Sequence, residues 1–561
     1  ISREIGEKSP LNRKRSTKKP RRIGDDRQKS VRIMKTKEEG RLINFRPICA
    51  VAAFFAVGIA CAFFLKFNVG AMITCLAALV LISVPAVVFG ENVKRGFIVL
   101  AVLVAVFAAG FGYSFAKIKL AESVETPDGF VEVTATVESF SVLSSGGFRI
   151  VFRNCAVSEA ELDGGAVGYF DSGVLKNAFE ERAAVNAGKL TFPSENRPSE
   201  GDRMSFYCYV QNRAQGGEST YDVFSGVAFS VSGVKNVRYA GDDANVFEQA
   251  ARWIKGVMST GLSGDAFPLA IALTLGDTSL VGDKISAFRF AGIAHVFAVS
   301  GLHVGLFFAI LAFIAKKLGL VRLKRFAFIF IPTLFYCFLC GFRPSSVRAL
   351  VMAATVILAE DLGFKRDGLS AIALALIVIL MIEPFYLFDT GTRLSFLAVV
   401  GIAVLAPVFK RGAKPLGAVG ELLSVTLGAT LATLPVLVDM SGYTSLISLF
   451  ANLLFVPIFS LAYELTAVSA ALGCVEFLVF GSAKITLFLP SAFLGIIGEI
   501  VAFFDFSAFA LPLSFGFASV FYYVGLLFTS DLFNLSGKKK AIVVSTAFVL
   551  TAITVALEFL A

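Results

Sequence analysis

The run PICAVAAFFAVGIACAFFLKF, residues 47–67, carries a single charge, Lys66. A hydrocarbon core of about 30 Å needs roughly 20 helical residues, so this run predicts a helix that crosses a membrane. Val69 to Phe89, Gly96 to Ala116 and Ala541 to Leu560 read the same way. With 56% hydrophobic residues, 17% charged residues and a mean hydropathy of +0.75, the whole chain is too apolar for an ordinary soluble enzyme of 561 residues. The chain opens on Ile1 rather than Met, which leaves open whether residues precede it.

The formal charge of +10 is confined to one place. Residues 1–46 hold 16 Lys/Arg against 6 Asp/Glu, leaving 36 of each sign in the remainder. This stretch is rich in Lys, Ser and Pro and has no apolar periodicity, so a disordered basic tail is expected. Attraction to anionic lipid and orientation of the first helix by the positive-inside rule account for it without nucleic acid. A cytoplasmic tail followed by three helices over 47–117, with a short Lys94-Arg95 loop on the tail's side, places the chain beyond Ile118 outside. Basic clusters recur at Lys316 to Arg325, Lys365-Arg366, Lys410 to Lys414 and Lys538 to Lys540. The first three are separated by pairs of apolar segments, as one shared cytoplasmic side requires. Between Lys414 and Lys538 five apolar stretches can be counted, an odd number, so one is expected to be re-entrant, split or misjudged.

Residues 118–245 break the apolar pattern. Phe130 to Phe140, Phe148 to Ala156, Ala184 to Phe192 and Met204 to Val210 alternate like strands between Gly-rich and polar clusters. The fold class expected is a polytopic α-helical membrane protein with an inserted, extracytoplasmic small β-barrel, for which an OB-like barrel is one candidate. Six of the eight cysteines (49, 61, 75, 337, 340 and 474) fall in apolar segments and read as buried thiols. Cys155 and Cys208 lie in strand-like runs of the external domain, where a disulfide between them or two buried free thiols are the alternatives.

Residues 246–299 read as amphipathic and re-entrant segments. Val246 to Leu262 is an amphipathic helix with the only tryptophan, Trp253, at an interface position, and Ala266 to Gly276 is about half a membrane crossing that delivers Asp277. The transmembrane core, 300–561, then opens within the stretch AFRFAGIAHVFAVSGLHV, residues 287–304, which holds both histidines. Small and polar residues among large apolar ones let backbones approach closely, and ionisable groups at membrane depth face a cavity or a partner. Ser300 and His303 share a helical face. Asp277, His303 and Ser300 permit three readings: a nucleophilic triad, although no G-x-S-x-G elbow is present; a histidine bonded to a neighbouring helix; or the lining of a polar conduit.

The run Leu275-Gly-Asp277, Phe288-Arg289, Gly292, His295 and Ala298 to Val304 resembles the signature that opens the competence domain of the ComEC family. GFRPSSVR (341–348), DTGTRLSFLAVVGI (389–402), ATLATLP (429–435) and NLLFVP (452–457) are similar to its later segments, in the family's order. The likeness covers roughly residues 45–530 and is most specific at Ser-Gly-Leu-His. It implies a channel in the bacterial cytoplasmic membrane that carries single-stranded DNA inward during natural transformation. It also implies partners: an envelope DNA receptor, a pseudopilus, a cytoplasmic helicase-like ATPase and single-strand-binding proteins, besides the lipid bilayer. Two departures stand out. Many family members have Gln where Arg393 precedes Leu-Ser-Phe. Many also carry a C-terminal metallo-β-lactamase-like domain, whose His-rich site the two histidines here cannot build, so that nuclease activity is not expected of this chain.

A polyanion needs a wet path with cations that screen phosphate without trapping it. Asp277, Ser300, His303, Arg343, Arg348 and Arg393 are the candidates for lining it, with Arg289 as a further arginine, and guanidinium suits phosphate through its two-pronged donor geometry. Each arginine could instead pair with a carboxylate or snorkel to the interface. No Walker A loop is present to power transport, and no cofactor, metal or catalytic group is expected. The rivals are an intramembrane hydrolase built on Asp277, His303 and Ser300, and a small-solute transporter, for which inverted repeats would speak.

Overall fold

A computed structural model describes residues 47–64, 93–122, 130–142, 148–162, 166–168, 183–187, 199–212, 229–281, 284–297, 301–363, 367–445, 447–503, 510–512, 514–530 and 537–560. The expected basic tail, the second N-terminal crossing at 69–89, the Lys365-Arg366 cluster and Ser300 lie outside these residues. Within them the chain is mostly helical, with a small sheet inserted after the second helix.

Helix α1 (Pro47–Phe64) packs along α2 (Val93–Glu122) through glycine. A Cβ on Gly58 would stand 2.3 Å from the Phe107 carbonyl oxygen, and one on Gly110 would stand 2.5 Å from that of Phe55. The backbones therefore meet as closely as small residues in membrane helices allow. At its far end Lys117 pairs with Glu383 at 3.2 Å, while Phe63 packs on Phe388.

The sheet contains β1 (Phe130–Val142), β2 (Phe148–Leu162), β3 (Ala166–Gly168), β4 (Ala183–Ala187), β5 (Asp202–Asn212) and β6 (Phe229–Asp242). Its order is β1-β5-β6-β4-β2-β3, with a further β1–β2 pairing, so the pairings that leave β1 through β5 come back to it through β2. All pairs are antiparallel except β4 with β6. Period-two alternation puts Val131, Val133, Ala135 and Val137 on the inner face, each no more than 2% exposed. Strands β1, β2 and β5 run longer than the sequence pattern indicated, the expected strand at 184–192 is described over Ala183–Ala187, and β3 and β6 were not anticipated.

The register rules out the Cys155–Cys208 bridge. Cys208 faces Val131 on one side of β1, whereas residue 155 falls on the other side, between Arg153 opposite Thr136 and Ala156 opposite Thr134. They are thus two strand spacings apart laterally and about four residues apart lengthwise, far beyond the roughly 4.4–6.8 Å that a disulfide spans between Cα atoms. Cys208 is a free, buried thiol, and burial pushes it up to about 12.

The remaining helices are α3 (Val246–Gly261), α4 (Ala266–Leu275), α5 (Lys284–Phe290), α6 (Gly301–Lys317), α7 (Arg322–Leu339), α8 (Pro344–Asp361), α9 (Gly368–Ile382), α10 (Thr390–Val404), α11 (Ala406–Ala413), α12 (Gly417–Ser441), α13 (Ser448–Phe480), α14 (Lys484–Phe503), α15 (Ala518–Thr529) and α16 (Gly537–Leu560). A short pair, β7 (Tyr443–Ser445) and β8 (Ala510–Pro512), joins two loops. Among the described residues five segments are long and apolar enough to cross a membrane: 47–64, 97–117, 406–441, 448–480 and 538–556. The protein is therefore a polytopic, predominantly helical membrane protein. Among the described residues four helices, α12 to α15, lie between Lys414 and Lys538, because α13 continues unbroken through Pro457 for 33 residues.

Two features orient the bundle. Arg325 at the start of α7 pairs with Glu360 and Asp361 at the end of α8, at 3.0 and 2.8 Å. The opposite end of α7 meets α3, where Phe247 stacks on Phe338 at 4.6 Å. The Lys316–Arg325 cluster and the sheet thus lie at opposite ends of this helix. Helix α4, expected to be re-entrant or interfacial, is enclosed by protein: Ala266 and Leu269 to Leu275 are all buried, with α3, α13 and α14 packed against the helix.

Candidate functional site

Polar side chains gather at two levels, one where the sheet meets the helices and one inside the bundle. At the junction, Asn245 caps α3 in a reciprocal capping box with Glu248, whose carboxylate also takes Arg153 of β2 at 2.8 Å. One turn on, Arg252 donates to the Glu200 carbonyl and pairs with Asp202 and Asp242 at 2.9 and 3.0 Å. The amphipathic helix is thereby fastened to the sheet. Its Lys255 meets Asp277 at 2.7 Å. Asp277 reaches it because Gly276, at φ +75°, ends α4 in the left-handed conformation that glycine adopts without strain. The Ser279 amide donates to Asp277 as well, at 3.0 Å. Burial alone would raise the Asp277 carboxyl, but Lys255 and Ser279 outweigh it and hold the carboxyl below the usual aspartate range. Glu200 sits beside the same lysine and near Arg343, yet burial dominates and pushes its carboxyl up.

Inside the bundle the Thr274 carbonyl accepts from the Tyr336 hydroxyl at 2.7 Å and from the Cys340 thiol at 3.7 Å. His303, 1% exposed, lies against the Tyr463 ring with centroids 4.5 Å apart. Arg348, 5% exposed, donates through one terminal nitrogen to the Ser395 carbonyl of α10 and stands over the Phe396 ring at 5.7 Å. Its other terminal nitrogen fills the space over Gly301, where a Cβ would come within 2.5 Å of it. No carboxylate pairs with Arg348 among the described residues, and its Nε has no hydrogen-bond partner. A guanidinium is costly to bury, so one held without a counter-charge marks a place suited to an anion.

The candidate residues therefore divide. Asp277 and Arg343 belong to the junction around Glu200, with Arg343 exposed. His303 and Arg348 belong to the interior, on α6 and α8. Arg393 is exposed at the start of α10, two residues before the carbonyl that Arg348 uses. Asp277 is committed to Lys255 and Ser279 and makes no bond to His303, so the acid of the imagined triad does not orient the imidazole. Among the described residues no cluster of three His, Cys, Asp or Glu is placed to hold a metal ion. Sequence reading missed Lys255 and Glu200 because nothing local singles them out. The amphipathic pattern of 246–262 was the nearest signal.

A buried arginine and aromatic rings set in a helical membrane bundle with an inserted sheet define a class, the polytopic membrane proteins with a polar site inside the bundle. Residues 273–533 match the family model described as Competence protein. The chain is 32% identical to ComE operon protein 3 of Bacillus subtilis over 212 residues, covering 38% of this chain and 27% of that protein. It is 32% identical to competence protein ComA of Neisseria gonorrhoeae over 156 residues, 26% of this chain and 22% of that one. An uncharacterized protein of Aquifex aeolicus is 31% identical over 218 residues, 37% of this chain and 48% of its own length. The matched parts thus span between about a quarter and a half of these relatives. No solved structure matches. Residues 273–533 are thus a competence-family domain, of the kind shared with ComE operon protein 3 and ComA.

Proposed function

We propose that this protein is a channel of the bacterial cytoplasmic membrane through which single-stranded DNA enters the cell during natural transformation. The observation that carries this reading is Arg348, buried in the competence segment without a carboxylate and with one donor unused. A cation kept in that condition inside a membrane bundle can screen a passing phosphate. His303, Arg343, Arg393 and Ser300 contribute to the same path at other levels, and Asp277 holds the junction that frames its outer end. In this reading the amino-terminal tail and the Lys316–Arg325 end are cytoplasmic, and the sheet of residues 118–245 is external.

The ring of strand pairings supports reading that sheet as an OB-like barrel, a shape suited to guiding a strand. Transport is powered elsewhere, by a cytoplasmic helicase-like ATPase. An envelope receptor and a pseudopilus deliver the DNA, and single-strand-binding proteins receive it. The test is uptake of labelled DNA in cells lacking their own channel, complemented with this chain or with Arg348→Ala at matched membrane abundance. Restored uptake that the variant loses supports the channel. Equal uptake by both removes Arg348 from the path, and a chemical product that disappears with Ser300→Ala would favour the hydrolase instead.

A further inference from the structure

Three phenylalanine rings close on one another where the segment before α6 meets α13. Phe288 and Phe297 bracket the left-handed turn at Gly292 (φ +75°), and that turn is pressed onto α13 so tightly that a Cβ there would stand 2.5 Å from the Ser448 Cβ. Both rings reach Phe459, two residues past Pro457. The centroid separations are 4.6 Å for Phe288–Phe297, 5.5 Å for Phe297–Phe459 and 6.0 Å for Phe288–Phe459, all edge to face, and none of the three is more than 2% exposed.

The setting distinguishes these rings from ordinary packing. One stripe of α13 reads Asn452, Phe455, Phe459, Tyr463, so polar groups flank an aromatic stretch. Before it, Asn452 Oδ1 and the Oγ of Ser445, 7% exposed, are buried without a hydrogen-bond partner. Beyond it, His303 lies on Tyr463, and Arg348 with its unpaired Nε fills the space over Gly301, four residues after Phe297. Buried polar atoms without protein partners are costly, and they recur here on both sides of a wholly apolar cluster of rings. An apolar constriction between polar chambers excludes ions by dewetting.

We propose that Phe288, Phe297 and Phe459 form the closed seal of the path, holding back ions when no strand is present and parting for the bases of an entering one. The inference rests on the channel reading, and its test keeps the two apart. The protein and its Phe297→Asn and Phe297→Leu variants are reconstituted in vesicles loaded with potassium. A polar side chain wets the constriction, whereas leucine keeps it dry, so the asparagine variant loses the potassium gradient while the parent and the leucine variant hold it. An asparagine variant that melts like the parent and holds the gradient overturns the seal. Should that variant not insert, Phe297→Cys with Phe459→Cys provides the second reading. Joining the two positions with a bifunctional methanethiosulfonate, which forms disulfides with both thiols and releases sulfinate, is expected to stop DNA uptake until reductant cleaves them, and undiminished uptake by the cross-linked protein overturns the proposal. A parent that takes up no DNA yet leaks when Phe297 becomes asparagine would count against DNA as the solute and leave the seal standing.

Discussion

Arg348 and Gly301 explain each other. The guanidinium occupies the place that a side chain at residue 301 would need, so the glycine of Ser-Gly-Leu-His has a spatial reason: it makes room for a buried cation. Gly301→Ala is expected to displace the guanidinium and destabilise the protein by about 1–3 kcal/mol, as overpacking does, which thermal melting in detergent can measure. Arg348→Lys retains the charge but lacks the planar fork that reaches the Ser395 carbonyl while standing over Phe396. Reduced DNA uptake by that variant at unchanged abundance is the expected outcome. Sequence alone marked Arg348 as one of several polar residues in apolar surroundings. It could not separate Arg348 from Arg343 and Arg393, because all three look alike in a hydropathy profile and differ only in whether a neighbouring helix covers them.

Helix α3 is the element through which the sheet and the bundle communicate, with Arg252 facing the strands and Lys255 facing α4. Removing Lys255 as Lys255→Met leaves Asp277 buried with its main partner gone, at a cost of about 1.5–3 kcal/mol, and a double-mutant cycle with Asp277→Asn should show coupling. The pH dependence has two opposed limbs. Asp277 is held low by Lys255, so its contribution is complete above the ordinary aspartate value and is lost as pH falls through the lowered one. Glu200 is raised by burial, so its contribution is complete at low pH and is lost as pH rises from the ordinary glutamate value, about 4.3, through the raised one. Glu200→Gln is therefore expected to remove the loss on the rising side and Lys255→Met the loss on the falling side, as melting curves across that range would record. Arg252→Ala should loosen the sheet and speed its proteolysis while the bundle stays protected. The amphipathic helix was legible from its periodicity, but its partners were not, since Glu200 and Asp277 are 55 and 22 residues away along the chain.

At the scale of the molecule, apolar runs of membrane length gave the helical class, and strand-like alternation located the sheet. Long-range pairing stayed hidden. Nothing local showed that β1 would lie between β5 and β2, which is what keeps residues 155 and 208 apart, or that α4 would be enclosed by helices as far along the chain as α13 and α14. The competence signature was legible because Gly292, Gly301 and His303 within it serve close packing and burial. If those residues line a route for DNA, a strand arrested during entry must touch the ring beneath Arg348. Phe396 is 8% exposed and stands against the guanidinium, whereas Leu478 is 74% exposed on the outer face of α13. The most direct measurement places a photo-crosslinking phenylalanine at each position in turn, in cells taking up labelled DNA. A DNA adduct at position 396 and none at 478 is the result expected of a DNA route past Arg348. Uptake at the normal rate with no adduct at 396, or with adducts only at 478, would contradict it.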